Sequence, residues 1–264
     1  MDRNLETVIN YMKAHWPSDV KPEWQVDLKA YTSILNTIIE KWTRDASANR
    51  ELVRIAGPSG SGKTTQILPA VEAYFDNKSK RPILVAARRF VEYHPYMEEI
   101  KNEYGEENLR KKTDEFSTIM MFLTINSLTK LGYDIILDVT LLDPKIESVL
   151  IKMLLDNHYI FWLAMIAVSP EITERFLDSR AWRHSKDTEQ EFIRATNYAL
   201  EFYKNTLPDM RIILWNVWDT APIYDGKIAN STSEWQKNIA ITDYEAKFTE
   251  NDLRDAKIRY LSQN

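Results

Sequence analysis

The stretch Gly57-Pro58-Ser59-Gly60-Ser61-Gly62-Lys63-Thr64-Thr65 constrains this chain more than any other. It matches the phosphate-binding pattern G-x-x-x-x-G-K-[ST] without a mismatch. Leu52-Val53-Arg54-Ile55-Ala56, just before it, is short, apolar and partly β-branched, and reads as a buried strand. Thr65 to Phe75, just after it, suits a helix, with Pro69 early enough to be tolerated near the first turns. Strand, glycine loop and helix in that order make the pattern a site rather than a turn. Gly57, Gly60 and Gly62 let backbone N–H groups crowd around phosphate oxygens, because no side chain blocks them. The helix start adds its partial positive charge. Lys63 is expected to reach the β- and γ-phosphates of ATP, and the Thr64 hydroxyl to ligate Mg²⁺. Ser59, Ser61 and Thr65 belong to the same nucleotide-binding stretch.

The remaining chain supplies the alternation that such a loop requires. Pro82 to Ala87, Tyr133 to Thr140, His158 to Val168 and Arg211 to Trp215 read as four further buried strands. Helices are expected over about Trp24 to Thr43, up to about Tyr104, from Asp114 to Leu131 with Gly132 as terminator, from Pro144 with Asp143 as cap, and over 171–206 with a polar break near Arg183. Alternating strands and helices imply an α/β fold: a P-loop kinase-like parallel sheet flanked by helices. Residues 3–16 and 24–43 form an N-terminal helical extension, Ile223 to Lys227 carries a turn signal, and a charged helix from about Asp243 closes the chain. The expected division is a helical extension over 1–46, a kinase-like domain over 47–230 and a helical tail over 231–264.

Composition narrows the function classes. The chain has 264 residues, 44% hydrophobic and 28% charged, which is globular. It has no cysteine, so thiol catalysis, disulfides and cysteine zinc sites are excluded. A formal net charge of -5 argues against a nucleic-acid partner. No apolar run reaches membrane-spanning length and the first residues lack a signal-peptide core, so a cytoplasmic location is expected.

Ligands on parallel sheets gather beyond the carboxyl ends of the strands. Asp138 and Thr140 end the third strand; a carboxylate there can hold Mg²⁺ or accept the proton of an attacking hydroxyl, or it can simply cap a turn. Arg88 and Arg89 follow the second strand and can bind an anionic acceptor, or pair with Glu92 or Glu98. Arg180 and Arg183 flank a polar break and can neutralise charge on a transferring phosphoryl group, or lie on a solvated helix face. Asn216 ends the fifth strand. His94-Pro95 reads as a turn and helix start.

With these residues in view, the chain resembles the zeta toxins, the kinase halves of bacterial toxin–antitoxin systems, from about Glu51 to Gly226. The resemblance is carried by the Gly57–Thr65 loop, His94-Pro95-Tyr96, Tyr104-Gly105, Thr113 to Phe116, and Leu131-Gly132-Tyr133 leading to Asp138-Val139-Thr140. Arg180, Arg183, Glu191-Phe192-Ile193 and Ile223-Tyr224-Asp225 add to it. It implies an ATP- and Mg²⁺-dependent kinase acting on a small-molecule hydroxyl, with an antitoxin as possible protein partner. The best-known members phosphorylate UDP-N-acetylglucosamine at the 3′-hydroxyl. By motif, Lys63 and Thr64 take the ATP and Mg²⁺ positions, and Arg180 and Arg183 match the two lid arginines. Thr140 matches the threonine of a Glu-Gly-Thr motif whose glutamate is replaced by Asp138. Asn216 matches an asparagine near the adenine.

The acceptor side departs from the family. Arg88 stands where an acidic base is expected, Leu142 where a substrate-binding arginine is, and Phe122 where an acidic residue on the preceding helix is. The nucleotide half matches and the acceptor half does not. Two readings follow: a kinase for a different acceptor, or a nucleotide-binding regulatory protein with weak or lost catalysis.

Overall fold

The structure, a computed structural model, describes residues 9–10, 13–14, 20–57, 61–139, 144–168, 197, 200–216, 221–231 and 233–238. Most of the helices expected over 3–16 and over 171–206, and the one expected from Asp243, fall outside them, as does the Asp143 cap.

Each apolar run expected to be a strand forms one. They are β1 (Glu51–Ala56), β2 (Ile83–Ala86), β3 (Ile135–Asp138), β4 (Ile160–Ala167) and β5 (Arg211–Asn216). A sixth strand, β6 (Tyr224–Lys227), occupies the stretch read above as a turn. The strands form one sheet in the order β2-β3-β1-β4-β5-β6. β2 pairs parallel with β3, with Ala86 opposite Asp138, and β4 pairs parallel with β5, with Ala167 opposite Asn216. β6 runs antiparallel to β5. Its short, polar sequence with alternating exposure suits a sheet edge, where one side of the backbone faces water.

Several strands are shorter than expected, for local reasons. After β2, Ala87–Tyr93 winds into a 3₁₀ helix instead of extending. Before β3, the buried Asp134 carboxylate accepts from Ser47 Oγ (2.6 Å), Asn49 Nδ2 (2.7 Å) and the backbone amides of Asn49 and Glu51. These bonds hold Asp134 in the loop ahead of the strand. Before β4, His158 takes a left-handed φ of 57°, and the next amide, of Tyr159, turns back to Leu154 O.

The helices are α1 (Leu28–Thr43), α2 (Leu68–Asp76), α3 (Met97–Tyr104), α4 (Glu106–Lys112), α5 (Asp114–Leu131) and α6 (Pro144–Asp156). α1 starts at Leu28, later than expected, because Asp27 Oδ1 accepts from Ala30 N at 2.7 Å and caps it. Pro22–Trp24 forms a separate 3₁₀ turn. α4 was not foreseen; Gly105, at φ 84°, separates it from α3. α5 has the expected bounds and ends on left-handed Gly132. Its residues from Phe116 to Thr129 are almost all buried, Ser117, Thr124, Asn126 and Thr129 among them, so it is enclosed on every face.

The contacts divide the chain into two compact units. The first comprises Met1–Leu52, Phe75–Val139 and Ser148–Ile160, and the second Val53–Tyr74, Thr140–Glu147 and Phe161–Asn264. In the first, α5 packs against α1 and the 3₁₀ segment. Phe116 stacks on Tyr31 (5.5 Å) and meets the His94 ring edge-on (4.7 Å). In the second, Leu163, Met165, Ile166, Ile212 and Leu214 form a buried apolar layer on β4 and β5. No helix of the described residues is long and apolar enough to cross a membrane.

Candidate active site

The phosphate loop lies in the second unit. β1 delivers the chain to Gly57 with all six of its residues buried. A side chain at Gly57 would put its Cβ 2.5 Å from Ile166 Cγ2 and 2.9 Å from Ser61 Oγ, so only glycine fits. Gly62 adopts a left-handed φ of 97° and caps the turn that follows. That turn, Lys63–Ile67, is a wide π-type turn that runs directly into α2. Such turns recur at functional sites. The expected helix therefore exists, but it starts earlier and wider than the sequence suggested. The first amides of a helix have no intrahelical partner, which makes this start a natural anion site.

The side chains around the loop fit a polyphosphate. Lys63 Nζ donates to the Gly57 carbonyl at 2.6 Å, across the mouth of the loop. Ser61 is fully buried, and its hydroxyl has no hydrogen-bond partner among the described residues. Buried hydroxyls ordinarily have one, and a phosphate oxygen would supply it. Thr64 and Thr65 are exposed, and Thr65 Oγ1 lies 3.3 Å from the Gly62 carbonyl. Among the described residues no group of three or more His, Asp or Glu could hold a metal ion. The Thr64 hydroxyl still suits Mg²⁺, which keeps several waters and binds through phosphates and one or two protein oxygens.

Two contacts that the sequence did not reveal hold this unit together around the loop. Buried Gln66 donates from Nε2 to the Asn216 carbonyl at 2.9 Å, tying the loop turn to the end of β5. Asn216 thus stands beside the loop through its backbone. Below, Arg54 of β1 pairs with Glu147 of α6, and the Tyr203 hydroxyl donates to the same Glu147 oxygen. Arg54 Nη1 also reaches Tyr203 Oη at 3.0 Å. All three side chains are fully buried. Burial works against the Arg54 charge, but Glu147 and Tyr203 more than offset it, so its pKa is raised. Burial, then the Glu147 charge, pushes the Tyr203 phenol well above its ordinary range. A charged residue inside an apolar strand was the one signal in the sequence for this network.

The first unit holds the other candidate residues. Arg88 Nη2 lies 3.0 Å from Asp138 Oδ2. The Arg88 side chain is 46% exposed, whereas that of Asp138 is 6% exposed. Arg89 turns inward: its guanidinium stacks 4.3 Å from the Trp42 ring centre and donates to the Leu84 carbonyl. Burial lowers its pKa. The pairing with Glu92 or Glu98 suggested by spacing is not made; Arg88 takes Asp138 instead, because the parallel register brings the ends of β2 and β3 together. His94 is buried. Its Nδ1 accepts from Tyr96 N at 3.2 Å and its carbonyl from Met97 N at 3.1 Å, so it starts α3 as expected. Phe122 is buried within α5. Ser59, Gly60, Thr140, Leu142, Arg180 and Arg183 lie outside the described residues.

A mixed sheet fed by a strand–glycine loop–helix unit defines the class: a kinase-like α/β protein with a phosphate loop. The family model of zeta toxins matches residues 37–228, and the chain belongs to the zeta toxin family. Toxin PezT of Streptococcus pneumoniae serotype 4 is 26% identical over 133 residues, which are 50% of this chain and 51% of that protein. The match thus spans about half the length of that relative. Among solved structures, one from the PezAT chromosomal toxin–antitoxin system of Streptococcus pneumoniae has a TM-score of 0.65 at 20% identity, covering 90% of this chain and 97% of that one. That likeness is one of fold. An AvrRxo1-ORF1:AvrRxo1-ORF2 complex solved with sulphate ions has a TM-score of 0.49 at 12% identity, covering 94% of this chain and 73% of that one.

Proposed function

We propose that this protein transfers the γ-phosphoryl group of ATP, with Mg²⁺, to a hydroxyl of a small molecule. The observation that carries the reading is the phosphate loop: left-handed Gly62, crowded Gly57, buried Ser61 and Lys63 at the loop mouth. The acceptor oxygen bonds to the γ-phosphorus, and the bond from that phosphorus to the bridging oxygen breaks. ADP leaves with the electron pair, and the hydroxyl proton passes to a carboxylate, for which Asp138 is the candidate. Mg²⁺ would supply charge neutralisation at the phosphates, held by Thr64 and, where Asp138 serves as metal ligand instead of base, by Asp138. Lys63 holds the triphosphate. Arg180 and Arg183 offset charge on the transferring group, Thr140 orients the acceptor, and Arg88 binds it. Arg89 adds a second positive charge near it, with its own guanidinium held by Trp42 and the Leu84 carbonyl.

UDP-N-acetylglucosamine is the first acceptor to try, since family membership favours it. The basic Arg88 in place of an acid favours a different one. The test is incubation of the protein with Mg²⁺-ATP and a metabolite extract, with new phosphorylated species read by mass spectrometry. A new species made by the wild type and not by Asp138→Asn supports the reading; ATP binding without any phosphorylated product defeats it. That second outcome favours a nucleotide-binding regulatory protein, for which the Arg88–Asp138 pair is the specific observation. We also propose an antitoxin protein as partner, since a similar chain comes from a toxin–antitoxin system.

A further inference from the structure

The contacts of Arg88 and Asp138 are unequal. Asp138 is nearly buried, with its Oδ2 3.0 Å from Arg88 Nη2, whereas Arg88 is about half in water. A guanidinium has five N–H donors in a fixed fork, more than one carboxylate can accept from, and the Arg88 side chain is 46% exposed. The backbone that carries Arg88 is firmly held. Trp42 packs on Phe90 (5.3 Å), Trp42 Nε1 donates to Tyr93 Oη (3.3 Å), and Arg89 lies over the same indole. A fixed backbone therefore presents a long, half-exposed cation whose tip rests on a buried carboxylate.

We propose that Arg88 is an anion receptor whose resting partner is Asp138, and that an acceptor carrying a phosphate or carboxylate group takes Arg88 and thereby releases the Asp138 carboxylate. This rests on the reading above that Asp138 serves the transfer. The physical basis is competition of two anions for one guanidinium. A ligand phosphate or carboxylate reaching the half-exposed guanidinium can engage the fork through two parallel N–H bonds and so compete with Asp138. While Arg88 is paired with it, the carboxylate is occupied by the guanidinium instead of by the acceptor hydroxyl or a metal ion. A neutral hydroxyl compound leaves the pair closed; an anionic one opens it. Arg88 thus makes charge on the acceptor a condition of turnover rather than only of binding, which gives this chain a specificity device in place of the family's acid.

The deciding experiment needs no catalysis. The full chain, labelled with ¹⁵N-arginine and free of nucleotide, is titrated with inorganic phosphate and separately with acetate while arginine Nε–Hε resonances are followed. The Arg88 resonance should shift and saturate, with the tighter of the two anions naming the acceptor group. Asp138→Asn should tighten that binding several-fold by removing the competitor, and Arg88→Ala should abolish it. Equal affinity in Asp138→Asn and wild type, or an Arg88 resonance that stays still under both anions, overturns the proposal. Turnover then supplies a second readout, with glycerol against glycerol 3-phosphate and glucose against gluconate. The anionic member should be preferred through kcat as well as KM, and Arg88→Ala should raise kcat for the neutral member. If ATP binds and no acceptor turns over, the kinase reading fails while the titration still decides the role of Arg88.

Discussion

Lys63 Nζ donates to the Gly57 carbonyl at 2.6 Å, so the lysine of the phosphate loop folds back onto the residue that opens it. A phosphate oxygen is the stronger partner, because it adds the Coulomb attraction of opposite charges that a neutral carbonyl lacks. The lysine is therefore poised to exchange the carbonyl for nucleotide. Lys63→Ala should lower phosphotransfer by roughly 10²–10³-fold, the range for removing one donor to a transition state. Calorimetry should show weakened ATP binding, with thermal melting close to that of wild type. Unchanged turnover would remove Lys63 from the mechanism.

Gly57 is a packing requirement as much as a conformational one. Gly57→Ala forces a Cβ to within 2.5 Å of Ile166 Cγ2. Overpacking of this kind costs about 1–3 kcal/mol. Urea unfolding should report that loss, together with weaker nucleotide binding. Adding Ile166→Ala removes the clashing methyl, so the double variant should be less destabilised than the sum of the two single changes. Strict additivity would show that the clash is not the cause.

The Arg54–Glu147–Tyr203 network can be broken at each member with different results. Glu147→Ala strands a buried guanidinium and should cost about 3–5 kcal/mol in denaturant unfolding. Tyr203→Phe removes one hydroxyl bonded to a charged group and should cost about 1.5–3 kcal/mol. Arg54→Met combined with Glu147→Leu should recover much of the loss, since apolar replacement of a buried ion pair is often neutral. A small effect for Glu147→Ala would mean that water reaches the site.

His94 gives the fold a pH dependence with a definite sign. Burial lowers its pKa from 6.5 to about 4. The unfolded chain therefore binds a proton between these values while the folded chain does not, and stability falls as pH drops from about 6.5 towards 4. The largest possible loss is about 3 kcal/mol. Replacing the imidazole with a group that does not titrate, as in His94→Gln, should flatten this part of the stability–pH curve. An unchanged slope would assign it to other groups.

Local pattern carried the fold a long way. The five apolar strands and the bounds of α5 were all legible, because apolar runs and glycine positions act over a few residues. β6 was misread because Tyr224-Asp225-Gly226-Lys227 is polar and contains glycine, and only its pairing with β5 makes it a strand. α4 was missed because a seven-residue charged segment has almost no periodic signal of its own. Asp27 was passed over as a cap because Trp24 already looked helical.

The sequence alone determined that this chain carries a phosphate loop between a buried strand and a helix, within an alternating α/β order. Only the tertiary structure decided what the polar residues do. It gave Arg88 to Asp138 instead of Glu92, turned Arg89 onto Trp42, and joined Gln66 to Asn216 across 150 positions and Arg54 to Tyr203 across 149. The reason is physical. A strand or a glycine turn is set by neighbours along the chain, but a charge or amide is satisfied by whatever group the sheet order and helix packing bring within about 3 Å.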